Sequence, residues 1–315
     1  MFYLGIDLGG TNIAAGVVDE EMKLVYKTSI PTEANSGVEN IISRMAQAAK
    51  AAMKGACITA EQVKSIGIGT PGAVVPETGV VIYAANLGFQ HTPLAALLGA
   101  YFPGIPVRVE NDANVAAWAE AKCGAAIGTK DSVTITLGTG VGGGMILNGK
   151  LYSGFNSMGG ELGHIVITEN GRPCSCGRKG CWEAYASVTG LINTTKEHMQ
   201  ANPQTLMWKI AGSLERVNGL TSFDAMRKGD EEAKKVVQKY LDSVACGIAN
   251  ICNILQPEVL CIGGGISKEG DTLLKPVQEY VMKEMFSRFN DTHTEIRIAK
   301  LGNDAGIIGA ALLGA

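Results

Sequence analysis

One short unit occurs twice in this chain, and it limits the possible folds more than any other feature. Ile6-Asp7-Leu8-Gly9-Gly10-Thr11 lines up with Ile135-Thr136-Leu137-Gly138-Thr139-Gly140. Apolar runs flank each copy, at 3–8 and 13–18 around the first and at 132–137 and 145–147 around the second. An apolar run, a tight glycine turn and a second apolar run predict strand, turn, strand. The second turn is expected over Gly138–Gly144, and Asn148-Gly149 then signals a hairpin into Lys150-Leu151-Tyr152. Further strands are expected at 23–28, 65–69, 107–110, 259–262 and 295–300. Helices are expected at about 37–54, 113–122, 274–288 and 305–313, with 185–250 mostly helical. Ser36 and Glu39 have capping-box spacing at the start of the first helix. Val38, Ile41, Ile42, Met45, Ala49 and Met53 form its apolar stripe. Strands alternating with helices give an α/β class. Two similar halves predict two domains, with a ligand cleft between them.

The 315 residues are enough for two domains at about 150 each. A net charge of −3, with no block of Lys and Arg, argues against a nucleic-acid partner. No basic segment followed by an apolar run opens the chain, and no stretch reaches the ~18–20 apolar residues of a membrane span. The expectation is a cytoplasmic protein without a membrane partner, whose eight cysteines are thiols or metal ligands.

Two familiar nucleotide motifs fit the glycine loops only as strings. Gly138-x-Gly140-x-x-Gly143 matches a dinucleotide fingerprint, but that loop must open a helix, and here a hairpin follows. Gly144-x-x-x-x-Gly149-Lys150 approaches a P-loop, but Leu151 stands where a hydroxyl should hold magnesium. The reading that remains is a pair of β-hairpin turns whose free N–H groups cradle phosphate oxygens. Gly9, Gly10, Thr11 and Asn12 form one; Gly138, Thr139, Gly140, Gly142 and Gly143 form the other. Asp7 enters the first loop, where its carboxylate could act on Mg²⁺ directly or through water. Gly263-Gly264-Gly265 is a third cluster.

Through these residues the chain resembles the ROK family (repressors, open reading frames and kinases) over essentially its whole length. Gly5 through Thr11 resembles the family's first phosphate loop, Leu137 through His164 its longer signature, and Gly264 and Gly265 its nucleoside-side loop. Within the family the resemblance is strongest to glucokinases of Gram-positive type. The resemblance implies a two-domain actin-like ATPase (ribonuclease H-like) fold with the active site in the interdomain cleft. Expected domains are 1–113 plus 302–315, and 114–301 with a zinc-binding segment at 164–181. It further implies ATP-dependent phosphorylation of a hexose at its 6-hydroxyl, a place in glycolysis, and a homodimer or larger assembly. Glucose is the leading substrate, with fructose, mannose and N-acetyl amino sugars as alternatives. A sugar-responsive repressor would need a DNA-reading module before the first loop, which begins at residue 5. A non-catalytic sugar sensor remains the alternative outside the enzymes.

Glu110-Asn111-Asp112-Ala113-Asn114 lies at an expected strand end, before a helix. An N-cap is the commoner job for such residues. A carboxylate there could equally accept a hydroxyl proton during phosphoryl transfer. Asp112 matches the family's catalytic base, and Asn111 would bind sugar hydroxyls beside it. His164, Cys174, Cys176 and Cys181 make a His-x9-Cys-x-Cys-x4-Cys pattern, a closed tetrahedral set suited to structural Zn²⁺. The resemblance places Glu161, His164 and Glu183 on the sugar hydroxyls. His164 would use one ring nitrogen for zinc and the other for sugar. Gly72 and the Asn86-Leu87-Gly88-Phe89 segment complete the expected pocket, and Trp182 is expected to pack.

Overall fold

The computed structural model describes residues 1–315. In chain order the strands and helices begin with β1 (Phe2–Leu8), β2 (Asn12–Asp19), β3 (Leu24–Pro31), α1 (Val38–Gly55) and β4 (Val63–Thr70). Next come β5 (Ala73–Val75), β6 (Val80–Ala84), β7 (Phe89–Thr92), α2 (Leu94–Gly99), β8 (Val107–Asn111) and α3 (Asp112–Cys123). The hairpin strands β9 (Ser132–Leu137), β10 (Val141–Leu147) and β11 (Lys150–Tyr152) lead to the helices α4 (Glu183–Ala186), α5 (Val188–Ala201), α6 (Leu206–Ala211), α7 (Thr221–Arg227) and α8 (Glu231–Leu255). The chain closes with β12 (Val259–Gly263), α9 (Asp271–Glu284), β13 (Glu295–Ile298) and α10 (Ala305–Ala311). The chain divides into two compact units. One holds Met1–Thr134, Gly144–Gly160 and Ala299–Ala315; the other holds Ile135–Gly143 and Glu161–Ile298.

The first unit is built on a sheet of order β3-β2-β1-β4-β8, with β1, β4 and β8 parallel and β2 and β3 antiparallel additions. Alternation along β1 sends Leu4, Ile6 and Leu8 into one core, shared with Ile41, Ile42, Met45 and Ala49 of α1. The opposite face carries a row of glycines, since Gly16 pairs with Gly5 and Gly5 with Gly67. That row is a trough for α10. A Cβ on Gly5 would fall 1.9 Å from the Ile307 carbonyl oxygen, and one on Gly67 would fall 1.7 Å from that of Ala310. The Gly/Ala-rich composition of α10 lets helix and sheet backbones touch, and its other side packs on α3. These contacts settle the end of β1, where Asp7 sits.

The second sheet has the order β11-β10-β9-β12-β13, with β12 and β13 parallel. In the second unit the long helix α8 packs on α4, α5, α7 and α9. Trp182 is fully buried against it. Its Nε1 donates to the Ser243 carbonyl at 2.8 Å, and a Cβ on Gly247 would lie 2.0 Å from its ring.

Most expected elements form, with four differences. Strand β10 begins at Val141, so Gly142, Gly143 and Gly144 are strand residues and the turn is only Gly138–Gly140. The Gly143 Cβ position is taken by Leu162, and that of Gly144 by Ala117 and the Ala113 backbone; these glycines admit neighbours and do not turn the chain. The Ser36–Glu39 capping box does not form. Gly37 (φ 91°) caps α1, while Ser36 Oγ donates to the Glu33 carbonyl. Helix α9 covers 271–284 and β13 covers 295–298, so both end earlier than expected. A three-stranded sheet, β5-β6-β7, occupies a stretch for which no strands are expected.

Candidate active site

Both glycine turns are closed and braced in the same way. In the first, the Gly9 N–H donates to Asn12 O at 2.9 Å, closing the turn. Thr32 engages the carbonyls, its Oγ1 donating to Gly9 O (2.6 Å) and its N–H to Thr11 O (2.8 Å). In the second, the Gly138 N–H donates to Gly140 O at 3.0 Å. The start of α5 engages the carbonyls there: the Val188 N–H donates to Gly138 O (2.8 Å) and Thr189 Oγ1 to Thr139 O (2.7 Å). The carbonyls of Gly9, Thr11, Gly138 and Thr139 are thus engaged, while the amides of Gly10 and Thr11, and of Thr139 and Gly140, have no partner within the protein. Bare amides at a turn tip form a nest for phosphate oxygens. Gly264, with φ 88°, lies beside this second turn, its Cβ position only 2.3 Å from the Leu137 carbonyl, and Gly265 is open.

In the first unit Asp7, Asn86, Gly72, Asn111 and Asp112 come together by short steps. Asn86 lies against the first turn, 3.2 Å from the Cβ position of Gly10. Asn111 ends β8 and caps α3, its Oδ1 accepting from the N–H groups of Ala113 (2.9 Å) and Asn114 (3.3 Å). Its Nδ2 donates to the Gly72 carbonyl at 3.2 Å, and Gly72 has φ 98° and no room for a Cβ, which would fall 2.2 Å from Tyr83 O. The turn that presents Asp112 is therefore fixed on both sides. Solvent reaches Asp112, but the protein around it is dense. That desolvation lifts its carboxyl above the ordinary aspartate range, against the hydrogen bond from the Ala113 N–H. Asp7 is lifted from 3.8 to about 6, by burial first and by the negative charge of Asp112 second. Two carboxylates raised by burial, one of them also by its neighbour, fit a divalent cation, which would favour their ionised forms.

In the second unit His164, Cys174, Cys176 and Cys181 converge, with ligand atoms all within 4.8 Å of one another. The Cys176 and Cys181 sulfurs are 3.6 Å apart, as are Cys174 Sγ and His164 Nδ1. A tetrahedron with Zn–S bonds of about 2.3 Å has edges of about 3.8 Å. Zinc therefore fits with little movement. Without a cation the Cys181 thiol is pushed up to about 12 by desolvation and then by the adjoining sulfurs, while the backbone at Arg178 holds the Cys176 thiol below its ordinary range. His164 turns Nδ1 to the cluster, and its Nε2 lies 4.0 Å from Glu161 Oε2. Glu183 does not stand free: its Oε2 accepts from the Val141 N–H at 3.0 Å and its Oε1 from Ser175 Oγ at 3.3 Å. A pocket of about 830 Å³ starts at Thr139 and Gly140 and runs past Glu183 along Thr189, Asn193 and Lys196 of α5.

Sequence reasoning passed over several of these supports. Buried Glu110 accepts from the Asn111 N–H (2.8 Å) and from Asn114 Nδ2 (3.0 Å), bracing the Asp112 turn. Its place in Glu110-Asn111-Asp112 was a signal, but its burial was not readable. Thr32, Val188 and Thr189 carry no motif at all.

Comparison with known proteins agrees with this geometry. The ROK family profile matches residues 3–315. A glucokinase from Halalkalibacterium halodurans is 39% identical, over 99% of this chain and 94% of that protein. A glucokinase from Thermotoga maritima is 38% identical, over 98% of this chain and 95% of that protein. Among solved structures, a ROK family glucokinase from Streptomyces griseus in complex with glucose and AMPPNP superposes with a TM-score of 0.85. It is 35% identical, and 99% of each chain is covered.

Proposed function

The chain belongs to the ROK family, and from that premise we propose that it transfers the γ-phosphoryl group of ATP to the 6-hydroxyl of glucose. The observation that carries the proposal is Asp112, a carboxylate on a turn fixed by Asn111, Gly72 and Glu110, whose negative charge helps to raise Asp7. Phosphoryl transfer asks a protein for positioning and charge stabilisation above all. The bare amides of Gly10 and Thr11 and of Thr139 and Gly140 supply donors for phosphate oxygens. Asp112 accepts the proton of the 6-hydroxyl as that oxygen attacks the γ-phosphorus and ADP leaves. Its raised pKa makes it a stronger base than a free aspartate.

Asn86, Asn111, Glu161, His164 and Glu183 are assigned to the sugar hydroxyls, with the Gly72 carbonyl holding the Asn111 amide beside them. Gly264 and Gly265 are assigned to the nucleoside side. Asp7 would hold the Mg²⁺ that accompanies ATP and offsets phosphate charge. His164, Cys174, Cys176 and Cys181 would hold a Zn²⁺ that locks the segment between Glu161 and Glu183 and leaves no open coordination position for chemistry. No helix is long and apolar enough to cross a membrane. A cytoplasmic site, a role in glycolysis and a homodimer or larger assembly complete the reading.

The test is ADP release from Mg-ATP over a panel of glucose, fructose, mannose and N-acetyl amino sugars. Glucose should give the highest kcat/KM. D112N should lower turnover about 10²–10⁴-fold while still binding sugar. An active D112N would remove Asp112 as base, and release independent of any sugar would remove the kinase reading.

A further inference from the structure

Glu183 makes contacts that sugar binding does not require. Its Oε2 takes the N–H of Val141, the first residue after the second phosphate turn. The neighbouring Gly140 is bare where a Cβ would fall 2.4 Å from that oxygen, so the carboxylate fits directly beneath the turn. Its Oε1 takes the Ser175 hydroxyl, from between two residues of the cysteine cluster, and lies 3.7 Å from Cys174 Sγ. A metal on Cys174 would remove that thiol's proton and leave Ser175 as the Oε1 donor.

We propose that Glu183 is a positioning residue for the nucleotide: it props the second phosphate turn from below and ties it, through Ser175, to the metal-bearing segment. This rests on the kinase reading and adds to it. The turn has three fastenings, and two of them, from Val188 and Thr189, hold carbonyls. Glu183 supplies the one from outside the turn that holds an N–H, since the Gly138 N–H is held by Gly140 O within it. Losing it leaves the donor of buried Val141 unpaired, and the turn must relax or carry that cost. Glu183 is one carboxylate with two oxygens, so a sugar hydroxyl on Oε1 and a phosphate on the turn would be sensed by the same side chain.

The experiment is calorimetric titration of zinc-loaded protein with Mg-AMPPNP, without sugar, for wild type, E183A, E183Q and S175A. E183A should bind about tenfold more weakly. E183Q keeps an amide oxygen for the Val141 N–H and should stay within about threefold of wild type, while its glucose affinity falls. S175A, which removes only the Oε1 donor, should lie between them. E183A binding as tightly as wild type, or tighter because a nearby negative charge has gone, would overturn the proposal. If circular dichroism shows E183A unfolded, E183D decides by the same criterion, since its carboxylate is one methylene short of Val141. Wild type that binds no AMPPNP would bring down the kinase reading and this inference with it. Wild type that binds, with E183A its equal, would bring down the inference alone.

Discussion

Replacing Asp7 by Asn should make the ligand-free protein more stable while removing its activity. The carboxyl is mostly buried at the end of β1, beside Asp112 and against the start of α10, where a Cβ on Gly306 would lie 2.5 Å from Oδ2. Folding lifts its pKa from 3.8 to about 6. An acid whose pKa rises on folding destabilises the fold wherever it must ionise. The cost is nil below about 3.8, grows as pH rises to about 6, and stays constant above that. At 1.36 kcal/mol per pKa unit the ceiling is about 3 kcal/mol. Partial exposure and the changed hydrogen bonding of an amide bring the expected gain nearer 1–2 kcal/mol, or a melting shift of several degrees. Thermal melts of wild type and D7N in EDTA, from pH 4 to pH 7.5, give the comparison. The two curves should meet near pH 4 and separate to a plateau above pH 6. Part of the gap should close in a D112N background, because Asp112 supplies the second cause of the shift. A gap independent of pH, or a D7N protein less stable at pH 7.5, would refute the assignment of strain to this carboxylate.

Two further outcomes follow from packing and from the cysteine cluster. Gly67→Ala forces a Cβ to within 1.7 Å of the Ala310 carbonyl and must drive α10 off the sheet. It should cost about 3 kcal/mol or more in urea unfolding, and a cost under 1 kcal/mol would show that α10 is not held where the structure puts it. Stripping metal with a chelator, or making Cys181→Ser, should lower the melting temperature and raise the KM for glucose, with about one zinc per chain lost by elemental analysis. An unchanged melting temperature after zinc loss would leave the cluster without a structural role.

The strand–turn–strand units were legible because turn glycines between Val- and Ile-rich runs leave few alternatives. The Asn111–Asp112 turn and the cysteine cluster are legible because their neighbours in sequence are also their neighbours in space. What stayed hidden depends on distant contacts. A glycine that bends the chain and one that makes room look alike in sequence, so the pattern alone extends the turn over Gly142–Gly144 although β10 already runs through them. Ser36 and Glu39 have the right spacing for a cap, but Gly37 took the position and Ser36 found a carbonyl three residues back. The β5-β6-β7 sheet has strands of three to five residues, mostly incompletely buried, too short to show a period.

The duplication itself shows where sequence stops and structure begins. Aligning the halves predicts that the two turns do the same job, and both tips carry amides with no partner inside the protein. Yet what makes them equivalent is not duplicated. Thr32, from the segment after β3, holds the carbonyls of the first turn with both its hydroxyl and its N–H. Val188 and Thr189, from the first turn of α5, do so for the second, and Glu183 adds an acceptor for Val141 that the first turn does not share. A carbonyl held by a neighbour does not turn toward a phosphate that the amides attract, and the halves hold theirs, Gly9 and Thr11 in one and Gly138 and Thr139 in the other, with different groups. The extra acceptor on the second turn also makes the halves unequal in what can disturb them. Glu183 and Ser175 tie the second turn to the His164–Cys181 segment proposed to hold zinc, so chelation should weaken nucleotide binding through that turn and leave the other intact.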